Sequence, residues 1–247
     1  MKKIILTTLM LCSAIAFSQE IKYGVKGGLN ISNLRGDYPE FSPATTGADE
    51  ASFKNKSLIG FHFGGFLEFQ VNNKFSIQPE LLLSTQGSEL ELKATSFENS
   101  DGTGEKDTEI LTQRINLTYI NIPIMLKYKV LEKLNIEFGP QIGYAISGKS
   151  TWNFEGTDDE SEEIKINLFK DGTYQFQGGT LEIKSALKRF DFGMNLGASY
   201  DVTEKFFIQT RYNLGLAVID NNSTAGDNTK SWNLQNSVFQ VSAGFRF

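Results

Sequence analysis

The sequence predicts an all-β fold: an eight-stranded antiparallel transmembrane β-barrel with short periplasmic turns and long extracellular loops. Three observations carry this. Apolar residues recur at every second position in eight separate stretches, so each strand has one oily and one polar face. Connections between the stretches alternate strictly between short and long, as a barrel with turns on one side of a membrane and loops on the other requires. The chain also opens with an export signal but has no later run of about 18 apolar residues, which excludes a helical span.

The signal occupies residues 1–18. Lys2 and Lys3 form its basic start, Ile4 to Leu11 its apolar segment, and Ala16-Phe17-Ser18 its small-residue end. Cleavage is expected before Gln19, leaving 19–247 as one barrel domain. Cys12 is the sole cysteine, and the bulky Leu11 before it argues against a lipoprotein. The mature chain then has no thiol or disulfide chemistry. Loss of Lys2 and Lys3 takes the formal charge from −5 to −7, and so acidic a surface excludes nucleic acid as a partner. The 20 phenylalanines and 23 glycines suit a β-protein with an aromatic exterior and tightly packed small residues.

The strands are expected at about 22–33, 57–70, 74–92, 111–129, 133–147, 187–201, 205–219 and 235–247. The first alternates Tyr23, Val25, Leu29 and Ile31 with polar or small residues. The second sets Phe69 against His62, Gly64 and Glu68, and the third sets Phe75 against Glu80 and Ser84. The fourth and fifth read Tyr119-Ile-Asn-Ile-Pro-Ile-Met-Leu-Lys-Tyr128 and Ile136-Glu-Phe-Gly-Pro-Gln-Ile-Gly-Tyr144. The sixth and seventh contain Phe190-Asp-Phe-Gly-Met-Asn-Leu-Gly-Ala198 and Arg211-Tyr-Asn-Leu-Gly-Leu216. In the eighth, Phe239, Val241, Ala243, Phe245 and Phe247 alternate with Gln240, Ser242, Gly244 and Arg246. The tight turns are Val71-Asn72-Asn73, Val130-Leu131-Glu132 and Asp201-Val202-Thr203-Glu204; the long loops are about 34–56, 93–110, 148–186 and 220–234.

Hairpin geometry puts Phe69 opposite Phe75, Tyr128 opposite Leu134 and Tyr200 opposite Phe206. With Tyr23 and Phe247, the aromatics Phe69, Phe75, Tyr128, Tyr200 and Phe206 form a periplasmic girdle. A soluble lipocalin-like barrel has the same period with its oily face inside. The polar face argues against it, because it is rich in small residues, among them Gly64, Gly139, Gly143, Gly193, Gly197, Ser199, Gly215, Ser242 and Gly244. Solvent does not ask for small residues, whereas a narrow barrel interior does. Pro79, Pro123 and Pro140 fall inside strands, where each should mark a bulge or a missing ladder bond.

The stretches quoted for the first and for the fourth to seventh strands resemble the outer-membrane β-barrel family of Bacteroidetes, whose small members carry porin-family or PorT-family labels. The resemblance implies an eight-stranded membrane barrel and brings no shared catalytic residues. The terminal Phe247 resembles the C-terminal signal read by the barrel assembly machinery. Outer-membrane lipid and lipopolysaccharide are the other partners this placement implies, and no cofactor is expected.

Parity places Lys26, Glu68, Glu80, Lys127, Glu137, Asp191, Arg211 and Arg246 in the lumen, four of each sign, beside neutral His62. Buried charges persist only when paired, so an internal ion-pair network that plugs the barrel is expected. The rival is a narrow porin lined by the same charges. His62, with Ser84 and Glu80 on the next strand, sketches a hydrolase set. The expected register, however, puts Leu82 rather than Ser84 opposite His62, and a structural histidine is favoured. Acidic residues 158–163 lack the spacing of a calcium loop and read as a solvated run, with no metal site assigned. Asp101-Gly-Thr-Gly104 is turn chemistry. Ile164–Leu168 and Tyr174–Phe176 read as a hairpin across Asp171-Gly172, standing above the membrane, with two further barrel strands as the alternative. Trp152, Tyr174 and Trp232 form a contact patch or pack the loop bases. The function expected is that of a non-enzymatic barrel presenting extracellular loops for adhesion, envelope integrity or partner contact.

Overall fold

A computed structural model of the chain describes residues 21–38, 49–96, 107–155, 161–176, 179–183, 185–221 and 232–247. The export signal 1–18, Asp101-Gly-Thr-Gly104 and residues 158–160 of the acidic run lie outside these. Eleven strands are present: β1 (Ile21–Arg35), β2 (Glu50–Gln70), β3 (Phe75–Ser96), β4 (Asp107–Lys129), β5 (Leu134–Glu155), β6 (Ser161–Asn167), β7 (Gly172–Phe176), β8 (Gly179–Ile183), β9 (Phe190–Asp201), β10 (Phe206–Gly215) and β11 (Gln235–Arg246). Eight of them close a ring in the order β1-β2-β3-β4-β5-β9-β10-β11, each antiparallel to its neighbours. The seam is the β1–β11 pairing, with Gly24 opposite Arg246 and Arg35 opposite Gln235.

The outward face is oily. Ile59 is 77% exposed, and Phe61, Phe63, Ile122, Phe138, Leu196 and Val241 stand out beside it. Lys26, Glu80, Lys127, Glu137 and Arg211 are buried inside. A soluble barrel would reverse this arrangement, while a hydrocarbon surround demands it. Apart from Phe154 near the far end of β5, the exposed large apolar residues run from Ile120 to Tyr128 on β4 and from Ile136 to Ile146 on β5. Those are the ~9–11 residues a tilted spanning strand needs.

Strands β2 to β5 are 21, 22, 23 and 22 residues long, about twice a span and longer than the sequence alternation suggests. Beyond the belt the two faces exchange chemistry. Inside, Leu90, Ile115 and Leu117 are buried. Outside, Glu89 pairs with Arg114 at 2.6 Å and Glu91 with Lys56. The surrounding medium has changed from hydrocarbon to water, so the oily side now turns inward. The strands continue without a break, but the pattern that marks them changes sense, and this hides their extra length.

The upper half of β5 is left with an open edge once β9 has ended at Phe190 opposite Tyr144. Strand β6 covers that edge, with Ile164 opposite Trp152. This corrects the hairpin expected over 162–177. Strand β6 pairs with β5, while β7 pairs with β8, Tyr174 lying opposite Leu181. Neither β6 nor β7 joins the ring. Asp171 accepts a hydrogen bond from the Ser185 amide at 2.7 Å, so it ties down a later segment rather than closing a two-residue turn.

The three tight turns also differ from expectation. Phe69 lies opposite Ile77, Tyr128 opposite Ile136 and Tyr200 opposite Ile208, each two residues from the expected partner. Each hairpin closes later than expected, through Val71 N to Phe75 O (2.9 Å), Val130 N to Leu134 O (2.9 Å) and Thr203 N to Phe206 O (3.0 Å). Side chains tighten two of them. Asn72 Oδ1 accepts from the amides of Lys74 and Phe75, and Thr203 Oγ1 from those of Lys205 and Phe206. A shift of two leaves every side chain on its original face. At this end Tyr23 stacks on Phe247 with ring centroids 5.4 Å apart, and Phe75 meets Tyr128 at 5.0 Å. Phe69 is half-buried, and Tyr200 and Phe206 are exposed.

Each strand proline removes ladder pairs without a bulge. Pairing of β2 with β3 lapses between Phe66–Glu80 and Phe69–Ile77, at Pro79. Pairing of β3 with β4 lapses between Pro79–Ile124 and Leu82–Asn121, beside Pro123; pairing of β4 with β5 lapses between Pro123–Gln141 and Leu126–Phe138, beside Pro140. The register is the same on both sides of each lapse. Bulges occur elsewhere, between Ser57 and His62 on β2 and at Ile146 on β5, opposite Thr118/Tyr119 of β4.

Candidate functional site

The lumen is the candidate site, and it fills in layers from the turn end upward. Glycines on the inner face make room for its largest side chains. A Cβ on Gly244 would sit 2.2 Å from the Phe207 ring, and one on Gly24 2.5 Å from the Phe66 ring. Phe66 and Phe207 meet edge to face at 5.6 Å, and the Arg246 guanidinium lies 4.6 Å over Phe207.

Around these rings runs a single chain of charges whose sign alternates at every step. Asp201 pairs with Arg246 (2.8 Å), Arg246 with Glu68 (3.3 Å), and Glu68 with Lys127 (3.4 Å). Lys127 reaches Glu137 (3.8 Å), and Glu137 meets Arg211 (3.1 Å). Arg211 grips Glu80 with both terminal nitrogens at 3.0 and 2.9 Å, and Glu80 ends the chain on Lys26 at 2.7 Å. Two amides cross-link it. Gln209 accepts from Lys26 (2.9 Å) and donates to Glu137 (2.5 Å). Gln78 accepts from Lys127 (3.1 Å) and donates to Glu80 (2.8 Å). Four acids and four bases cancel, which is the condition for holding ions away from water. Double-ended hydrogen bonding by arginine adds geometric fit.

Asp191 does not belong to this network. Its Oδ2 accepts from Asn236 at 2.8 Å, and among the described residues no cation forms an ion pair with it. It stands near the loop end of β9, above the last cation of the chain. The fourth acidic place is taken by Asp201, at the other end of the same strand. Sequence reading missed Asp201 because it was assigned to the turn; the late closure of that hairpin draws it into the barrel mouth, beside Arg246 and Asn135.

His62 lies opposite Ser84, not Leu82, as the two-residue shift dictates. Its ring bonds neither Ser84 nor Glu80. Nδ1 lies 2.8 Å from Asn30 Oδ1 and Nε2 2.8 Å from Ser242 Oγ. Asn30 turns its amide nitrogen to Ser84 Oγ (2.9 Å), and its oxygen also accepts from Gln240 (3.1 Å). The Asn30 oxygen can only accept, so Nδ1 carries the proton and Nε2 accepts from the Ser242 hydroxyl. A serine, a histidine and an amide in line resemble a nucleophile, its base and its orienter. All three are buried. His62→Ala should therefore leave lipid and peptide hydrolysis at background in both proteins, while orphaning Asn30 and Ser242 at a cost of about 1–3 kcal/mol. Hydrolysis assays and urea titrations of the two folded barrels check both halves.

Above the polar layers Leu34, Ile115, Leu117, Tyr119, Ala145, Leu168, Leu187, Ile219 and Leu234 pack into an apolar core. Tyr38 packs against it and donates its hydroxyl to Leu34 O at 2.7 Å. Burial pushes that hydroxyl up to about 12, so it stays neutral. Tyr38, Phe53, Trp152 and Trp232 line a pocket of about 190 Å³ at this end. Tyr174 stands apart, its hydroxyl accepting from the Asn167 amide at 3.1 Å. Of the acidic run, Glu163 pairs with Lys165. At the turn end an open basin of about 940 Å³ is ringed by Lys74, Lys133 and Lys205, with Glu68, Asp201 and Arg246 on its floor.

Residues 17–221 match the family model described as an outer membrane protein β-barrel domain. No curated protein matches the chain. Among solved structures, the attachment invasion locus protein Ail of Yersinia pestis is 13% identical, with 92% of this chain and 99% of that one covered and a TM-score of 0.43. Outer membrane protein W of E. coli is 14% identical, with 94% and 100% covered and a TM-score of 0.37. The outer membrane protease OmpT of Escherichia coli is 12% identical, with 94% and 98% covered and a TM-score of 0.31.

Proposed function

The chain belongs to the outer membrane protein β-barrel domain family, and from that premise we propose that it is a closed, non-enzymatic barrel whose work is done by the strands and loops it holds outside the cell. It is an outer-membrane protein. Its work on this reading is adhesion, envelope integrity or contact with a partner, in an environment of lipid and lipopolysaccharide. The small barrels of Bacteroidetes are the kin its strand motifs suggest. Tyr23, Phe69, Phe75, Tyr128, Tyr200, Phe206 and Phe247 serve as the periplasmic girdle.

One observation carries the reading: the alternating chain from Asp201 to Lys26, cross-linked by Gln78 and Gln209. Water or solute could pass only by displacing partners from ions that nothing else in the lumen would satisfy. The apolar core around Tyr119 and Leu117 is a second seal above it. A narrow porin would need a continuous polar path past both.

Planar-bilayer recording tests this. Purified barrel should insert without reproducible single-channel steps. Steady steps of one amplitude, present in every preparation, would sink the closed-lumen reading and favour the porin.

A further inference from the structure

The pocket above the belt has a specific chemistry. Four aromatic side chains from four parts of the chain converge on it: Tyr38 after β1, Phe53 on β2, Trp152 on β5 and Trp232 before β11. Leu92 on β3 and Leu111 on β4 complete it. The Tyr38 ring lies 5.3 Å from Phe53 and 6.0 Å from Trp232, centroid to centroid. Two polar groups at the wall already have partners. The Tyr38 hydroxyl donates to Leu34 O at 2.7 Å, and Gln113 Nε2 donates to Ser150 Oγ at 3.0 Å. The space inside is therefore almost purely apolar.

We propose that this pocket is a binding site for a small, uncharged aromatic molecule of one or two rings. Its volume of about 190 Å³ is close to the ~150 Å³ of an apolar cavity that accepts benzene. Its aromatic walls suit flat rings, which they meet by stacking or edge contact. Among the described residues no charged group lines it, so an ionised ligand would lose its hydration without gaining a partner there. The surroundings favour a small molecule over a protein surface. Beyond the belt, at this end of the barrel, Phe154 and Trp232 are the only large apolar side chains exposed among the described residues. The outer face of the projecting sheet carries Lys56, Glu89, Glu91 and Arg114, already paired with one another. A macromolecular interface needs a broad apolar patch around its anchor, and here the apolar surface is confined to the pocket. The site is independent of whether the lumen conducts.

The chain has two tryptophans, and both line this pocket, so tryptophan emission, excited beyond the tyrosine band, reports on it. The full-length barrel, folded in detergent, is titrated with nitrobenzene, an uncharged ring that quenches tryptophan. Quenching should saturate. Leu111→Phe and Leu92→Phe, which fill the space, should each raise the midpoint by at least about tenfold, and a heat-modifiability gel verifies that each variant is folded. The charged analogue 4-nitrobenzoate, titrated into the native barrel, should quench without saturation. Quenching by nitrobenzene that rises linearly, with one slope in native and filled proteins, means partition into detergent and overturns the site. A saturating curve that filling does not move overturns the location. Equal saturation by 4-nitrobenzoate in the native barrel overturns the ligand class, and that arm stands even if the filled variants do not fold.

Discussion

Arg211→Met is expected to destabilise the barrel by about 3–5 kcal/mol, the cost of stranding buried partners rather than of losing one contact. Arg211 is 1% exposed and, among the described residues, is the only one that contacts both Glu80 and Glu137. Without it the chain of charges holds four acids against three bases. Glu80 keeps Lys26 at 2.7 Å, but Glu137 keeps Gln209 and, as its remaining ion-pair partner among the described residues, Lys127 at 3.8 Å. Urea titration of barrels folded into lipid vesicles measures the loss. Adding Glu137→Gln restores the balance of signs, so the double variant should recover a substantial part of the stability. An Arg211→Met barrel as stable as the native one, or a double variant whose losses simply add, would show that the alternating chain is not what keeps these ions buried.

A smaller group produces the second large effect. Gly64→Ala should cost towards the upper end of about 1–3 kcal/mol, as overpacking does. Its neighbour Gly65→Ala should change stability by no more than about 0.5 kcal/mol. A Cβ on Gly64 would point into the lumen and lie 1.9 Å from Leu81 O, a backbone atom of the next strand that cannot step aside. A Cβ on Gly65 would point to the belt, where the nearest atom is 3.6 Å away. Gly139 repeats the inward case, at 2.0 Å from Ile124 O. Denaturant midpoints of the two single variants decide the matter. Equal costs would mean that glycine is needed for backbone freedom rather than for close approach inside a small ring.

The alternation is legible because a strand has only two faces and the membrane makes opposite demands on them. Lys26, Glu80, Lys127, Glu137 and Arg211 share a side by parity alone, and no partner need be known to see it. Parity says nothing of height along the barrel. Asp191 and Asp201 have different neighbours for that reason: Asn236 near the loop end for one, Arg246 in the mouth for the other. Nor does parity give register. All three hairpins pair two residues away from the expected register, two of them capped by Asn72 and Thr203, and this shift brings Ser84 opposite His62 and leaves the faces unchanged.

Local patterning is enough to give the class of molecule: eight strands, an oily exterior, a charged interior, short turns at one end and long connections at the other. Periodicity and loop length are local properties, and they survive without coordinates. Tertiary structure alone decided who meets whom. The order of the ion chain, the bond from His62 to Ser242, the covering of the β5 edge by β6 and the convergence of Trp152 with Trp232 all join residues far apart in sequence. Such meetings depend on how strands tilt and close around a common axis, a collective result of register and packing that no short stretch of chain encodes.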